Sequence, residues 1–369
     1  MKIHAPVTLG YSFKAYLEPD ELCQSLSVIL TKLPQFSGQL VAAGAQHYIA
    51  TGVYQAEVKA VAVADQDVHN PAAWPHILDH NPMRPPGHGG LRLFQALLLR
   101  GLDPAAGCAL LVSFDHGIAD ATTCSAVMSM WSKVHARAFP ALASPGKGML
   151  PPADHAVACT KAGLQIRRVQ FHPQQLAALK GQINQQAPPH AHVSTNDLLM
   201  AICAVVLAPH TAQRSSHAIV STMVDPRGRG LPMGYMGNGA RGMELCLPWH
   251  VLRQRNLAEV ALALRQITLQ NLEELRTRIQ YNLRPPHSQD VLFHWNSWAR
   301  VQELLEADFG SDLKRWEWVM LRRLEDERAF MLVPATRTGG LTLQVALRKE
   351  EMEDFLQTWN RLITPPEAA

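Results

Sequence analysis

The apolar positions of this chain follow two alternating rhythms. In "PDELCQSLSVILTKLP", Leu22, Leu26, Ile29, Leu30 and Leu33 recur at helical spacing, with Asp20 near the start and Pro34 closing the run. "GLRLFQALLLRG" and "CALLVSF" are short apolar runs that predict strands, the second largely buried. A helical stripe of Cys124, Val127, Met128, Trp131 and Val134 follows Asp120 and ends before Pro140. "FPALASPGKGMLPPADH" then loses periodicity and is rich in Pro, Gly and Ala, which predicts an exposed connection. Beyond it, "QIRRVQFHPQQLAALKGQI" reads as a strand running into a helix, and a capping box of Ser194 with Asp197 opens the nearly all-apolar helix of "HVSTNDLLMAICAVVLA". "HAIVSTMVDPRGRG" predicts a strand ending in a basic loop at Asp225, Arg227 and Arg229. "RAFMLVPA" and "LTLQVAL" predict strands, the latter alternating, and "KEEMEDFLQTWNRLI" predicts a final amphipathic helix. Both halves are mixed α/β, with no internal repeat.

Length changes that picture from one core to two. A chain of 369 residues exceeds what a single compact core usually supports. The expected division is an N-terminal half over 1–150, a connection over 151–164 and a C-terminal half over 165–369. With 47% hydrophobic and 18% charged residues both halves can bury cores, and a net charge of +3 gives no reason to expect nucleic acid or an anionic membrane as partner. The cysteines Cys23, Cys108, Cys124, Cys159, Cys203 and Cys246 are far apart with no C-x-x-C, which argues for a reducing compartment and against a zinc site or redox dithiol. The start, "MKIHAPVTLGYSFKAY", lacks the apolar core of a signal peptide, and Leu198 to Ala208 is too short to cross a bilayer. The expectation is a soluble, cytoplasmic protein.

Chemistry enters where the buried run Ala109 to Phe114 stops at Asp115 and His116, with Asp120 four residues beyond. One reading is an ordinary turn histidine satisfied by neighbouring backbone, with Asp120 capping the next helix. The other is a general base: a strand end places a residue rigidly, Gly117 and Ala119 leave room, and neutral imidazole accepts a proton near physiological pH. Other chemistries fit less well. There is no G-x-S-x-G elbow and no H-E-x-x-H, and the glycines of "GYMGNGARG" match neither a dinucleotide fingerprint nor a P-loop. No metal and no permanently bound cofactor are expected.

The strand-H-x-x-x-D-helix block resembles the catalytic core of the plant-type (BAHD) acyltransferases, relatives of chloramphenicol acetyltransferase and peptide-synthetase condensation domains. Further blocks resemble that family in the same order: "LTKLPQFSGQL", "STNDLLMAICAVVL", "VDPRGRGLPMGYMGN", "NSWARVQELLEADFG" and "VPATRTGGLTLQVALRKEEMEDF". The resemblance spans nearly the whole chain. It implies two similar chloramphenicol acetyltransferase-like α/β domains with a channel between them. It also implies a monomer that transfers an acyl group from acyl-coenzyme A, as co-substrate, to a hydroxyl or amine of a small molecule. His116 would be the general base, with no covalent intermediate. Asp120 would pair with an arginine of the D-x-R-x-R loop, Arg227 ahead of Arg229. Asp308, Phe309 and Gly310 match the first half of the family's DFGWG signature and would support domain structure.

The chain also departs from the family. Ala121 stands where a glycine is usual, and Ser311 stands where DFGWG has its tryptophan. Ser311 would then be a candidate oxyanion or channel residue, or Trp316 or Trp318 would fill the space. Ser194 and Thr195, at a helix N-terminus, are candidate coenzyme A contacts, with simple capping as the alternative. Arg84, Arg284 and His287 could contribute to an acceptor site. Two competing readings are transfer from a carrier-protein thioester and a catalytically silent binding protein; Asp115, where condensation domains carry a second histidine, argues against the former.

Overall fold

Two strands buried along their whole length, VTLGYSF and CALLVSF, lie side by side in one sheet, and the polar residues they carry are buried with them, Thr8 Oγ1 lying 2.8 Å from Ser113 Oγ. In the computed structural model, the described residues are 6–43, 46–71, 73–80, 83, 91–140, 163–188, 191–277, 291–310, 313–319, 328–335 and 340–363. Its elements run β1 (Val7–Phe13), α1 (Pro19–Lys32), β2 (Gln39–Ala43), β3 (Gln46–Ala50), β4 (Val58–Ala62), α2 (Asp65–Val68), α3 (Trp74–His80), β5 (Leu91–Arg92), β6 (Phe94–Arg100), β7 (Cys108–Phe114), α4 (Ala121–Ala138), β8 (Gln165–Phe171), α5 (Pro173–Gln186), α6 (Thr195–Leu207), β9 (His217–Val224), β10 (Arg241–Pro248), α7 (Trp249–Arg253), α8 (Leu257–Thr277), β11 (Val291–Ser297), β12 (Leu313–Val319), β13 (Ala329–Pro334), β14 (Leu341–Leu347) and α9 (Lys349–Ile363). The predicted connection over 151–164 lies outside the described residues except for its last two.

The chain divides into two compact units. The first holds residues 1–153 together with 236–238 and 301–323, and the second holds 154–235, 239–300 and 324–369. The division is therefore not one cut of the chain: two segments from the stretch 165–369 fold with the first unit.

In the first unit a five-stranded sheet has the order β12-β1-β7-β6-β4. β7 runs antiparallel to both β1 and β6 and is fully buried, so whatever follows Phe114 starts from a fixed backbone. On one face, Leu97, Leu99, Ala109 and Leu111 pack with Trp74, Val68 and Leu78. Trp74 lies so close to β1 that a Cβ on Gly10 would fall 2.2 Å from its ring, which only glycine permits. Phe94 and Phe114 are edge-to-face at 5.1 Å, and Phe94 meets Trp131 of α4 at 6.2 Å. α1 buries Leu22, Leu26, Ile29 and Leu30, as its spacing predicts. β2, β3 and β5 form a separate three-stranded sheet.

The second unit is built on a six-stranded sheet of order β10-β9-β11-β13-β14-β8, parallel only at β9–β11 and β11–β13. α6 is buried from Asp197 to Leu207, because a helix apolar on every side must lie inside. Its buried Asp197 accepts the Ser194 N–H at 2.8 Å while the Ser194 hydroxyl accepts the Asp197 N–H at 3.2 Å, the reciprocal cap read from the sequence. β14 departs from its pattern: the alternation of LTLQVAL suggests one wet face, yet every residue is buried, Thr342 and Gln344 included. Among the described residues, no helix is long and apolar enough to cross a membrane.

Candidate active site

The end of β7 is locked by hydrogen bonds before the histidine is reached. The Asp115 N–H donates to the Leu93 carbonyl at 2.9 Å, continuing the sheet by one residue. The buried Asp115 carboxylate accepts the Gly117 N–H at 2.8 Å, and its carbonyl accepts the N–H groups of Ile118 and Ala119 at 3.1 and 3.2 Å. This is an aspartate-closed turn, and a Cβ at position 117 would come within 2.7 Å of Asp115 Oδ1, so any larger residue there would have to displace the carboxylate that closes it. The turn leaves His116 partly exposed between buried Asp115 and buried Ala119.

His116 Nδ1 lies 3.0 Å from the Ala119 carbonyl oxygen. A carbonyl can only accept, so Nδ1 carries the hydrogen in the neutral ring, and Nε2 carries the lone pair. The backbone thus fixes the tautomer and assigns the basic nitrogen. The His116 carbonyl is held in turn by the side-chain amide of Asn238, whose Nδ2 donates to it at 2.6 Å.

Asp120 is the N-cap of α4, with extended backbone (φ −99°, ψ −178°) and Oδ1 accepting the Thr123 N–H at 2.9 Å. It is buried. Thr123 ties the same turn to a distant tripeptide: its hydroxyl donates to the Gly237 carbonyl at 2.8 Å and accepts the Gly237 N–H at 3.1 Å. Neither Thr123 nor Asn238 was singled out from the sequence. The signal was present only as part of "PMGYMGN", where nothing in local spacing says that an asparagine reaches a carbonyl 122 residues away.

In the second unit, Arg227 is almost fully buried. Its Nη1 pairs with Asp225 Oδ1 at 3.0 Å, its Nε donates to the Tyr235 carbonyl at 2.9 Å, and its guanidinium stands 5.6 Å from the centre of the Tyr235 ring. Arg227 thus has Asp225, two residues away, among its partners, and Asp120 caps α4.

Asp308, Phe309 and Gly310 occupy a different place on α4. The Phe309 N–H donates to Ser132 Oγ at 2.9 Å, and the Gly310 N–H donates to Asp308 Oδ1 at 3.1 Å. Phe309 has a left-handed backbone (φ +52°) and is buried edge-on against Phe13, Trp131 and His135. At 1.5 Å per residue, Ser132 is about 18 Å along the helix from Asp120, so Phe309 and Gly310 pack against the far part of α4. Ser311, Arg84, Arg284 and His287 lie outside the described residues. Trp316 and Trp318 lie on β12, opposite Tyr11 and Leu9 in the register with β1. The Ser194 hydroxyl serves its helix cap. Among the described residues, no group of His, Cys, Asp and Glu could hold a metal ion.

No family model and no curated protein sequence matches the chain. Its similarity to solved structures is extensive but distant. TRI101 from F. sporotrichioides, solved with coenzyme A and T-2, aligns at a TM-score of 0.66 and 18% identity over 95% of this chain and 93% of its own. The first condensation domain of the CDA synthetase aligns at 0.68 and 14% identity over 100% and 93%. Vinorine synthase aligns at 0.61 and 17% identity over 95% and 88%. At such identities the likeness is one of fold: this chain has the two-unit α/β, chloramphenicol acetyltransferase-like fold that its sequence blocks imply.

Proposed function

We propose that the protein is an acyltransferase that moves an acyl group from acyl-coenzyme A to a hydroxyl or amine of a small molecule, with His116 as general base. The observation that carries this reading is the contact between His116 Nδ1 and the Ala119 carbonyl, which in the neutral ring places the lone pair on Nε2, on a partly exposed ring at the end of a buried strand. The acceptor attacks the thioester carbonyl while Nε2 takes its proton. The tetrahedral intermediate then collapses, the carbon–sulfur bond breaks, and the imidazolium returns the proton to the departing thiolate. No acyl-enzyme forms, and a positioned base of this kind contributes about 10²–10⁴-fold. That TRI101 was solved with coenzyme A, on the same fold, supports the choice of donor.

Condensation-type transfer from a carrier-bound thioester is the second reading, favoured by the full-length alignment to a condensation domain. A panel of acyl-coenzyme A donors against mixed alcohols and amines, read by release of free thiol, tests both. Release with the wild type, and a loss of at least about 10²-fold in a folded His116→Ala variant, is expected. Near-normal turnover in His116→Ala would overturn the base assignment. Turnover only with donors presented on a carrier protein would favour the condensation reading.

A further inference from the structure

The turn that carries His116 is closed into a ring of hydrogen bonds by a tripeptide from far along the chain. Starting at the imidazole, Nδ1–H donates to the Ala119 carbonyl, and Ala119 is bonded covalently to Asp120. The Asp120 carboxylate accepts the Thr123 N–H, and the Thr123 hydroxyl both donates to and accepts from the backbone of Gly237. Gly237 is bonded to Asn238, and the Asn238 amide returns to the His116 carbonyl at 2.6 Å.

Asn238 is an expensive choice for this place. Its Oδ1 is buried without a hydrogen-bond partner among the described residues, so only the donor half of the amide is used. An unsatisfied buried acceptor lowers stability, and a plain apolar side chain would avoid that cost. What an apolar side chain could not do is donate to the His116 carbonyl. The carbonyl of Tyr235, the residue before the tripeptide, accepts a hydrogen bond from Arg227 Nε at 2.9 Å.

We propose that Asn238 is a positioning residue for His116, with Thr123 as its anchor. The amide holds the peptide plane of His116, and that plane fixes how the imidazole meets the Ala119 carbonyl. When the tether is lost, the backbone of His116 can rotate, the Nδ1–H bond weakens, and the tautomer that presents Nε2 as a base is no longer enforced. The proposal rests on His116 being the base, and it predicts more than lost stability. Because the tether acts on the base and not on a substrate contact, kcat should fall about tenfold or more with KM changed by less than about twofold.

The test uses the full chain labelled with ¹⁵N-histidine. The His116 ring resonances are identified by their absence from His116→Ala, and the free-thiol assay is run beside the spectra with acetyl-coenzyme A and the alcohol and amine panel. The wild type should show one Nδ1–H tautomer for His116. Asn238→Ala and Asn238→Asp should show a mixture, together with the fall in kcat. Thr123→Val, which keeps the shape and loses the hydroxyl, should do the same, and Thr123→Ser should recover most of the loss. If Asn238→Ala does not fold, the Thr123 pair decides alone, and an unchanged tautomer in a folded Thr123→Val protein overturns the proposal. An Asn238→Ala protein with wild-type tautomer and wild-type kcat also overturns it. If His116→Ala remains active, the base assignment has failed, and the tautomer spectra still report separately whether Asn238 holds the ring.

Discussion

Phe309 offers the sharpest separation of architecture from chemistry in this protein. Its ring meets Phe13 at 6.0 Å, Trp131 at 5.1 Å and His135 at 5.7 Å, all edge-to-face, and the side chain is 1% exposed. Phe309→Leu nearly conserves volume but removes the three aromatic contacts. Each such pair contributes about 0.5–1.5 kcal/mol beyond the area it buries, and contacts sharing one ring are not additive, so a loss of about 1–3 kcal/mol is expected. Phe309→Ala adds a cavity and should cost about 3–5 kcal/mol. Neither substitution relieves the left-handed backbone at φ +52°, which both side chains still carry. For a unit of this size, 1 kcal/mol moves a melting temperature by about 2–4 °C, so leucine should lower it by about 2–12 °C and alanine by more. Thermal melts followed by tryptophan fluorescence measure the shift, and thiol release at 25 °C measures activity. Because the Ser132 contact lies about 18 Å along α4 from Asp120, the folded leucine variant should turn over near the wild-type rate. A leucine variant that melts with the wild type, or one that loses activity without losing stability, would refute this reasoning.

Three other predictions concern buried or half-buried polar groups. His135 is buried, with Nδ1 3.1 Å from Ser25 Oγ, and burial lowers its pKa from the ordinary 6.5. The unfolded chain therefore binds a proton before the native one does, so stability should hold above pH 6.5 and fall as pH drops below it; His135→Gln should flatten that part of a urea-midpoint titration. Glu351 is buried against Arg328, which also binds Thr211 and the His210 carbonyl, so Glu351→Ala strands a partly buried guanidinium and should cost about 3–5 kcal/mol by urea unfolding, with much of it recovered when Arg328→Met is added. Ser194→Ala removes the cap acceptor of α6 and should cost about 0.5–2 kcal/mol; equal stability would mean that the cap is idle, and weakened coenzyme A binding in a calorimeter would restore Ser194 as a donor contact.

The sequence by itself determined what depends on neighbours in the chain. Periodicity located α1, α4 and α9, because a helix places residues three and four apart on one face whatever surrounds it, and α6, apolar on every side, was legible from its capping box. The caps at Asp120 and Ser194 were legible because their bonds span three residues. The strand end delivering His116 was legible because an unbroken apolar run has to be buried and has to stop. The tautomer depended on a carbonyl only three residues away, yet the turn that brings it there is set by Asp115, whose side-chain role no spacing reveals.

Tertiary structure decided everything that pairs across long separations. β12 lies beside β1 although some three hundred residues separate Tyr11 from Trp316, so the stretch 165–369 does not form a single unit. The wet face implied by the alternation of β14 is buried, because period two records which residues share a face but not what covers each face. The same holds for Asn238 and Thr123. Asparagine and threonine are ordinary loop and helix residues in isolation, and their value as tethers exists only once folding sets one beside the His116 carbonyl and the other against Gly237. Local sequence fixes which groups are available; the directions in which they donate are fixed by the packed backbone.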